Sequence, residues 1–229
     1  MKGPALAVMV RAPVPGQVKT RLQPHLSPEQ CAALYTALLR DAIELACSVR
    51  AYAPFLAFTP AEAEEYFRGL VPTPMGIISQ TGSDLGQRMQ GVMERLDEEG
   101  YSPVVIVGSD LPALQPAALE QAVQSLRNAD VCLGPSRDGG YYLVGGRRTC
   151  APIFKGIPWG TSRVLEVTIE KSKAAGLTVA LLGECADVDN LDDLNRLRLD
   201  IQRLRRIPGA RVPVHTEAWL KNGGSLFQA

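Results

Sequence analysis

Carboxylates and basic side chains recur in this chain at positions where secondary-structure elements should end. The stretch GSDLP (108–112) follows the β-branched run VVIV, so Asp110 stands at the tip of a buried strand. A carboxylate buried there without a partner costs several kcal/mol, which argues for an open strand end facing solvent or a cation. A hard divalent ion bridging phosphate oxygens suits one or two such aspartates, with water in its other positions. The other reading is an aspartate that caps the next turn, with Pro112 fixing the chain. In DVDNLDDLNRL (187–197), Asp187 and Asp189 are further candidates for the ion, whereas Asp192 reads as a helix-start residue.

The complementary charge lies in RAPVPGQVKTRL (11–22), where Arg11, Lys19 and Arg21 surround Gly16. Gly16 lets the backbone approach a phosphate and the three cations supply charge. The loop has neither the GxxxxGK[ST] nor the GxGxxG spacing, and a solvated basic loop would have the same composition. Two more stretches are unusual. In SRDGGYYLVGG (136–146) the paired Gly139 and Gly140 permit close backbone approach, and the tyrosines offer stacking or hydroxyl contacts. In QTGSDLGQRM (80–89) Gln80 can read a nucleobase edge and the glycines leave room for a flat ring, although an ordinary capped turn looks alike. Only two histidines exist, and His25 reads as a structural or surface residue. Trp159 in GIPWGTS suits a lid, a homodimer contact or plain packing.

These loops need elements to hold them. Apolar runs alternate with helix-period segments, the pattern of βαβ units and a mainly parallel α/β sheet. Ligands of such sheets bind beyond the carboxyl ends of the strands. Strands are predicted at 5–10, 54–59, 75–80, 103–107, 130–135, 141–146 and 177–182. Helices are predicted at 28–49, about 61–69, from Ser83 or Asp84 to Gly100, and at 115–127, 161–176 and 191–206. Ser27, Pro28 and Gln30 form a capping box at the first of these. The length and the lack of a linker favour one domain over 1–206 with a tail over 207–229, of which the final HTEAWLKNGGSLFQA is weakly patterned and expected to be partly mobile.

Charge and composition narrow the function classes. The 24 basic and 24 acidic side chains cancel, so no overall field steers the molecule to nucleic acid or an anionic membrane, and an anion must be met by local groups. No apolar run reaches the roughly 18 residues of a membrane span, and Arg11 and Pro13 interrupt the N-terminal one. Cys31, Cys47, Cys132, Cys150 and Cys185 are never spaced CxxC and read as reduced thiols of a cytoplasmic protein.

Taken in order, RAPxPGxVKTRL, QxGxDLGxRM, VxxVGSDLP, GPSRDGGYYLVG, GIPWGTSRVLE and DVDNLDDL resemble the bacterial GT-A-like nucleotide-diphospho-sugar transferases. These are relatives of the sugar nucleotidyltransferases and of 2-phospholactate guanylyltransferase. The resemblance spans roughly residues 5–200. It implies a three-layer α/β/α sandwich with a Rossmann-like sheet, and a nucleotide sugar or nucleoside triphosphate as ligand. Lys19 and Arg21, with Arg11, would meet the phosphates; the backbone at Ala12 and Pro13, with Gln80, Gly86 and Ser109, would hold the rest of the nucleotide. Mg2+ or Mn2+ would bind Asp110 and Asp189, with Asp187 in reserve. Asp138, Gly139, Gly140, Tyr141 and Trp159 would line the sugar or acceptor side, and Asp110, Asp138 and Lys19 would carry the chemistry. SDLP stands where many relatives have DxD, and the first loop has fewer glycines than pyrophosphorylase-type loops. Both departures leave the choice between glycosyl and nucleotidyl transfer open; the leading reading is metal-assisted glycosyl transfer from a nucleotide sugar, the second is nucleotidyl transfer to a small phosphorylated acceptor with pyrophosphate release, and a third, of another class, is nucleotide binding without turnover.

Overall fold

The computed structural model describes residues 2–222. Seven strands, β1 (Ala5–Arg11), β2 (Ala53–Thr59), β3 (Gly76–Ser79), β4 (Val104–Gly108), β5 (Val131–Pro135), β6 (Tyr141–Gly146) and β7 (Val179–Leu181), form one sheet in the order β3-β2-β1-β4-β6-β5-β7. β6 runs antiparallel to β4 and β5, and every other pair is parallel. The reversal follows from the short turn 136–140, too brief for the crossover that a parallel pair requires. It brings the DGGYY turn to the edge where the parallel strands end.

Seven α-helices occur among the described residues: α1 (Pro28–Ser48), α2 (Glu64–Leu70), α3 (Leu85–Glu98), α4 (Pro116–Ser125), α5 (Val164–Ala174), α6 (Leu191–Leu204) and α7 (Val214–Asn222). Alternation along β1 sorts the two faces. Leu6, Val8 and Val10 pack with Leu39 and Ile43 of α1 and Leu119 of α4, whereas Ala5 and Ala7 pack with Met89, Val92 and Met93 of α3. Burying each such Leu or Val contributes roughly 1.5–3 kcal/mol, and the strands, covered on both sides, are accordingly apolar throughout.

An outer layer covers the far side of α1. Leu34 and Leu38 face Leu194, Leu197 and Ile201 of α6 and Leu220 of α7. The C-terminal segment expected to be weakly patterned is thus helical over 214–222, and residues 223–229 lie outside the described ones. Its cap comes from a distant residue. The buried Asp41 carboxylate accepts from His215 N–H (3.1 Å), Thr216 N–H (2.8 Å) and Thr216 Oγ1 (2.5 Å). Arg211 donates to the Asp41 main-chain oxygen and to Pro112 O.

Local details sharpen the predicted boundaries. The Ser27–Gln30 capping box is present in both directions. Asp84 caps α3, and Asn190 with Asp193 caps α6, so Asp192 only occupies the first turn. The helix predicted from 161 begins at Val164, because 160–163 form a loop pressed onto Gly139.

Candidate active site

Lys19 has φ 48° and ψ 39°, the one left-handed non-glycine residue among those described. That conformation costs on the order of 1–3 kcal/mol and aims the side chain inward. Its ammonium lies 2.7 Å from Asp110 Oδ2 and 3.0 Å from Asp189 Oδ1. The lysine side chain is 4% exposed, the two carboxylates 34% and 33%. Burial alone would lower the Lys19 pKa, but the Asp110 and Asp189 charges outweigh it and hold the ammonium above its ordinary value. The exposed Arg21 reaches Asp189 Oδ2 at 3.3 Å.

A second chain of contacts fixes Asp110 from behind. Arg11 N–H donates to the Tyr35 hydroxyl (3.0 Å), which frees the tyrosine proton for Ser109 Oγ at 3.1 Å. Ser109 Oγ then donates to Asp110 Oδ1 (3.4 Å). Burial, then the Asp110 charge, push the Tyr35 hydroxyl up, so it stays protonated and able to donate. One carboxylate oxygen of Asp110 is therefore oriented by hydroxyls and the other by Lys19.

The late acidic loop is laid over the strand ends by main-chain contacts. Cys185 N–H donates to Pro135 O (3.1 Å) and Val188 N–H to Asp110 O (3.0 Å). Tyr142 donates to Gly183 O (3.2 Å). Desolvation, and then the Asp189 charge, raise Asp187 to about 6.

Two cavities open on this edge, and Asp110 lines both. The basic one, of about 280 Å³, is walled by Arg11, Gln17, Lys19, Arg21, Tyr35 and Asp189. The acidic-apolar one, of about 290 Å³, has Met9, Met89, Ile106, Tyr141 and Trp159 on its apolar side and Asp138 and Asp187 with Asp110 on its polar side.

This arrangement can be set beside known proteins. Residues 31–161, more than half of the chain, match the family described as an uncharacterized protein conserved in bacteria, DUF2064. The chain belongs to the DUF2064 family. It is 32% identical, with a TM-score of 0.88 over 99% of this chain and 97% of the other, to a Desulfovibrio desulfuricans G20 protein provisionally named a nucleotide-diphospho-sugar transferase. It is 35% identical over 112 residues to the 2-phospho-L-lactate guanylyltransferase of Methanopyrus kandleri, covering 47% of this chain and 54% of that protein, about half its length. CMP:2-keto-3-deoxy-manno-octonic acid synthetase, solved with CTP, shares the fold at 14% identity and a TM-score of 0.58 over 88% of this chain and 99% of the other. The sheet of this DUF2064 protein is thus that of the nucleotide-diphospho-sugar transferases, as the ordered motifs imply.

Within that DUF2064 frame the predicted residues fall into place unevenly. Arg11, Lys19, Arg21, Asp110 and Asp189 converge on the basic cavity, and Asp110, Asp138, Gly140, Tyr141 and Trp159 on the other. The Ala12 side chain is buried, and Pro13 is half-buried beside it. Gln80 donates to Val10 O (3.0 Å) and Ala57 O (2.6 Å), so its amide nitrogen ties three strand ends together and only Oε1 is left for a ligand. A Cβ on Gly86 would lie 2.8 Å from the Trp159 ring and 2.7 Å from Phe154 O, so this glycine makes room for protein, not for a flat ligand ring. Gly139 has φ +86° and lies against the Ser162 carbonyl. Asp138 Oδ1 accepts from Ser136 Oγ (2.5 Å) and Gly140 N–H (2.9 Å), and neither bond uses Oδ2. His25 is exposed. Tyr35 was not among the predicted site residues; on the sequence it is one apolar-face position of a helix, and nothing in its spacing points to Asp110.

The donor set suits a divalent ion. Asp110 and Asp189 already share one cationic group, the Lys19 ammonium, so both can face a single centre, and each keeps about a third of its surface open. Among the described residues, the group of three ligand-type side chains with their ligand atoms within 4.8 Å of one another lies elsewhere, at Asp41, Glu44 and His215. There both Asp41 oxygens already accept from α7, which makes it a helix cap.

Proposed function

We propose that the protein is a transferase that binds a nucleoside-diphosphate sugar and passes the glycosyl group to a small-molecule acceptor. The observation that carries this reading is the shared wall: Asp110 separates a cavity lined by three cations from one lined by none. A diphosphate placed in the basic cavity sets the bond to the sugar beside Asp110 and the sugar itself in the acidic-apolar cavity. Arg11, Lys19 and Arg21 hold the departing diphosphate, whose oxygen takes the electron pair of the broken C–O bond. Asp138, whose Oδ2 is not used by the Ser136 and Gly140 bonds, is a carboxylate of this cavity able to take the proton of an attacking hydroxyl. Mg2+ or Mn2+ on Asp110 and Asp189, when bound, neutralises charge on the phosphates.

The guanylyltransferase relative favours a second reading, transfer of a nucleoside monophosphate from a triphosphate with release of pyrophosphate. One assay separates them. Incubation with a panel of nucleotide sugars and nucleoside triphosphates is expected to release nucleoside diphosphate from a sugar donor, and Asp110→Asn to abolish this release. Pyrophosphate from a triphosphate, with no diphosphate from any sugar donor, would replace the first reading by the second.

A further inference from the structure

We propose that the acidic-apolar cavity excludes anions and takes an uncharged ring bearing hydroxyl groups, so that the group seated there carries no phosphate or carboxylate. The inference rests on the reading that the basic cavity holds the phosphates, and it deepens that reading by naming the chemistry of the other half of the substrate. No Lys, Arg or His is among the residues that line the acidic-apolar cavity, whereas Asp110, Asp138 and Asp187 all do. The cations around these residues are already paired with carboxylates. Lys19 sits between Asp110 and Asp189, Arg137 pairs with Glu184 (3.0 Å) and Arg163 with Glu166 (3.3 Å). An anion entering would meet Asp138 and Asp187, with no cation among the lining residues to offset them, and Asp110, whose one counter-charge, Lys19, it already shares with Asp189.

The remaining surface suits a ring. Trp159 and Tyr141 meet edge to face, with centroids 6.2 Å apart and planes at 81°, and both line the cavity beside Met9, Met89 and Ile106. Such a wall takes the apolar face of a sugar or aromatic ring. Hydroxyls on the ring edge have Asp138 Oδ2 to donate to, because Oδ1 is occupied by Ser136 and Gly140. A volume of about 290 Å³ is near the lower end of small-molecule sites and holds one such ring with a small substituent. A phosphorylated hydroxy acid, the kind of acceptor named for the guanylyltransferase relative, does not fit this chemistry.

The test is a matched pair of probes, each one ring with a small substituent, that differ by one carboxylate: methyl β-glucoside and methyl β-glucuronide. Binding is followed by calorimetry on the full chain, and in parallel by fluorescence of a Trp219→Phe variant, which leaves Trp159 as the sole tryptophan. The glucoside should bind about tenfold or more tightly than the glucuronide and quench Trp159, and Asp138→Asn should narrow the ratio. Equal affinities, tighter binding of the glucuronide, binding of neither probe by the wild-type chain, or a ratio unchanged in Asp138→Asn would overturn the proposal. No nucleotide is present in these titrations. Absence of nucleoside diphosphate release in the donor assay would therefore refute the proposed function while leaving anion exclusion standing.

Discussion

Replacing Lys19 by methionine keeps the length and apolar stem of the side chain and removes only the charge between Asp110 and Asp189. Removing one partner of a buried ion pair typically costs about 3–5 kcal/mol, because the other charge is left uncompensated. Here the lysine is 4% exposed but its partners are 34% and 33% exposed, so water recovers part of the lost solvation. We expect Lys19→Met to lose roughly 1–3 kcal/mol of unfolding free energy at neutral pH, read from urea denaturation. The pH dependence follows from the direction of the lysine's shift. Its folded pKa is raised, so its stabilisation is fully present below the ordinary lysine value and is lost only as pH climbs through the folded one. The deficit of the variant should therefore stay constant from about pH 7 to about pH 9 and shrink only in stronger alkali. Manganese should stabilise the variant more than the wild type, since an ion binding only the native state adds stability by mass action and no ammonium competes for the carboxylates. A variant as stable as wild type, and indifferent to manganese, would refute the idea that Lys19 neutralises a cation-seeking pair.

Tyr35→Phe removes the hydroxyl between Arg11 N–H and Ser109 and should cost roughly 1–2 kcal/mol; turnover should fall more than donor KM rises, whereas unchanged kinetics would deny the tyrosine a part in orienting Asp110. Asp41→Ala strips the α7 cap of its acceptor and should cost about 2–3 kcal/mol; amide exchange in 214–222 should rise first, and protection equal to wild type would count against the cap. Gly139→Ala puts a Cβ on a residue at φ +86° and into the Ser162 carbonyl, so melting should show a loss above about 1 kcal/mol and an altered Trp159 emission. An unshifted melting temperature would show that the 160–163 loop yields freely.

The family likeness was legible because its motifs sit at strand ends. VVIV before GSDLP, and the basic loop after the first apolar run, place their charges at one edge of any parallel sheet, whatever the detailed packing. Period and capping residues were enough for α1, whose Ser27–Gln30 box depends on local hydrogen bonds alone. Gln80 and Gly86 show the limit of such reading. A glutamine and a glycine in a strand-to-helix turn suit a ligand and a packing role equally, and only the positions of Val10 O, Ala57 O and Trp159 assign them to packing and strand tethering.

The sequence by itself determined the alternation of strands and helices, the strand-end location of Asp110 and the two loops that face it, since these rest on local periodicity and chain order. Tertiary structure decided what no local pattern encodes. It placed Lys19 between carboxylates 91 and 170 residues away in the chain, set the Tyr35 and Ser109 hydroxyls behind Asp110, and supplied from Asp41 the cap that makes 214–222 a helix. All of these contacts but Ser109–Asp110 join groups far apart in the chain, and a side chain's partner across such a span is fixed only when the sheet order and the packing of α1 bring the two together.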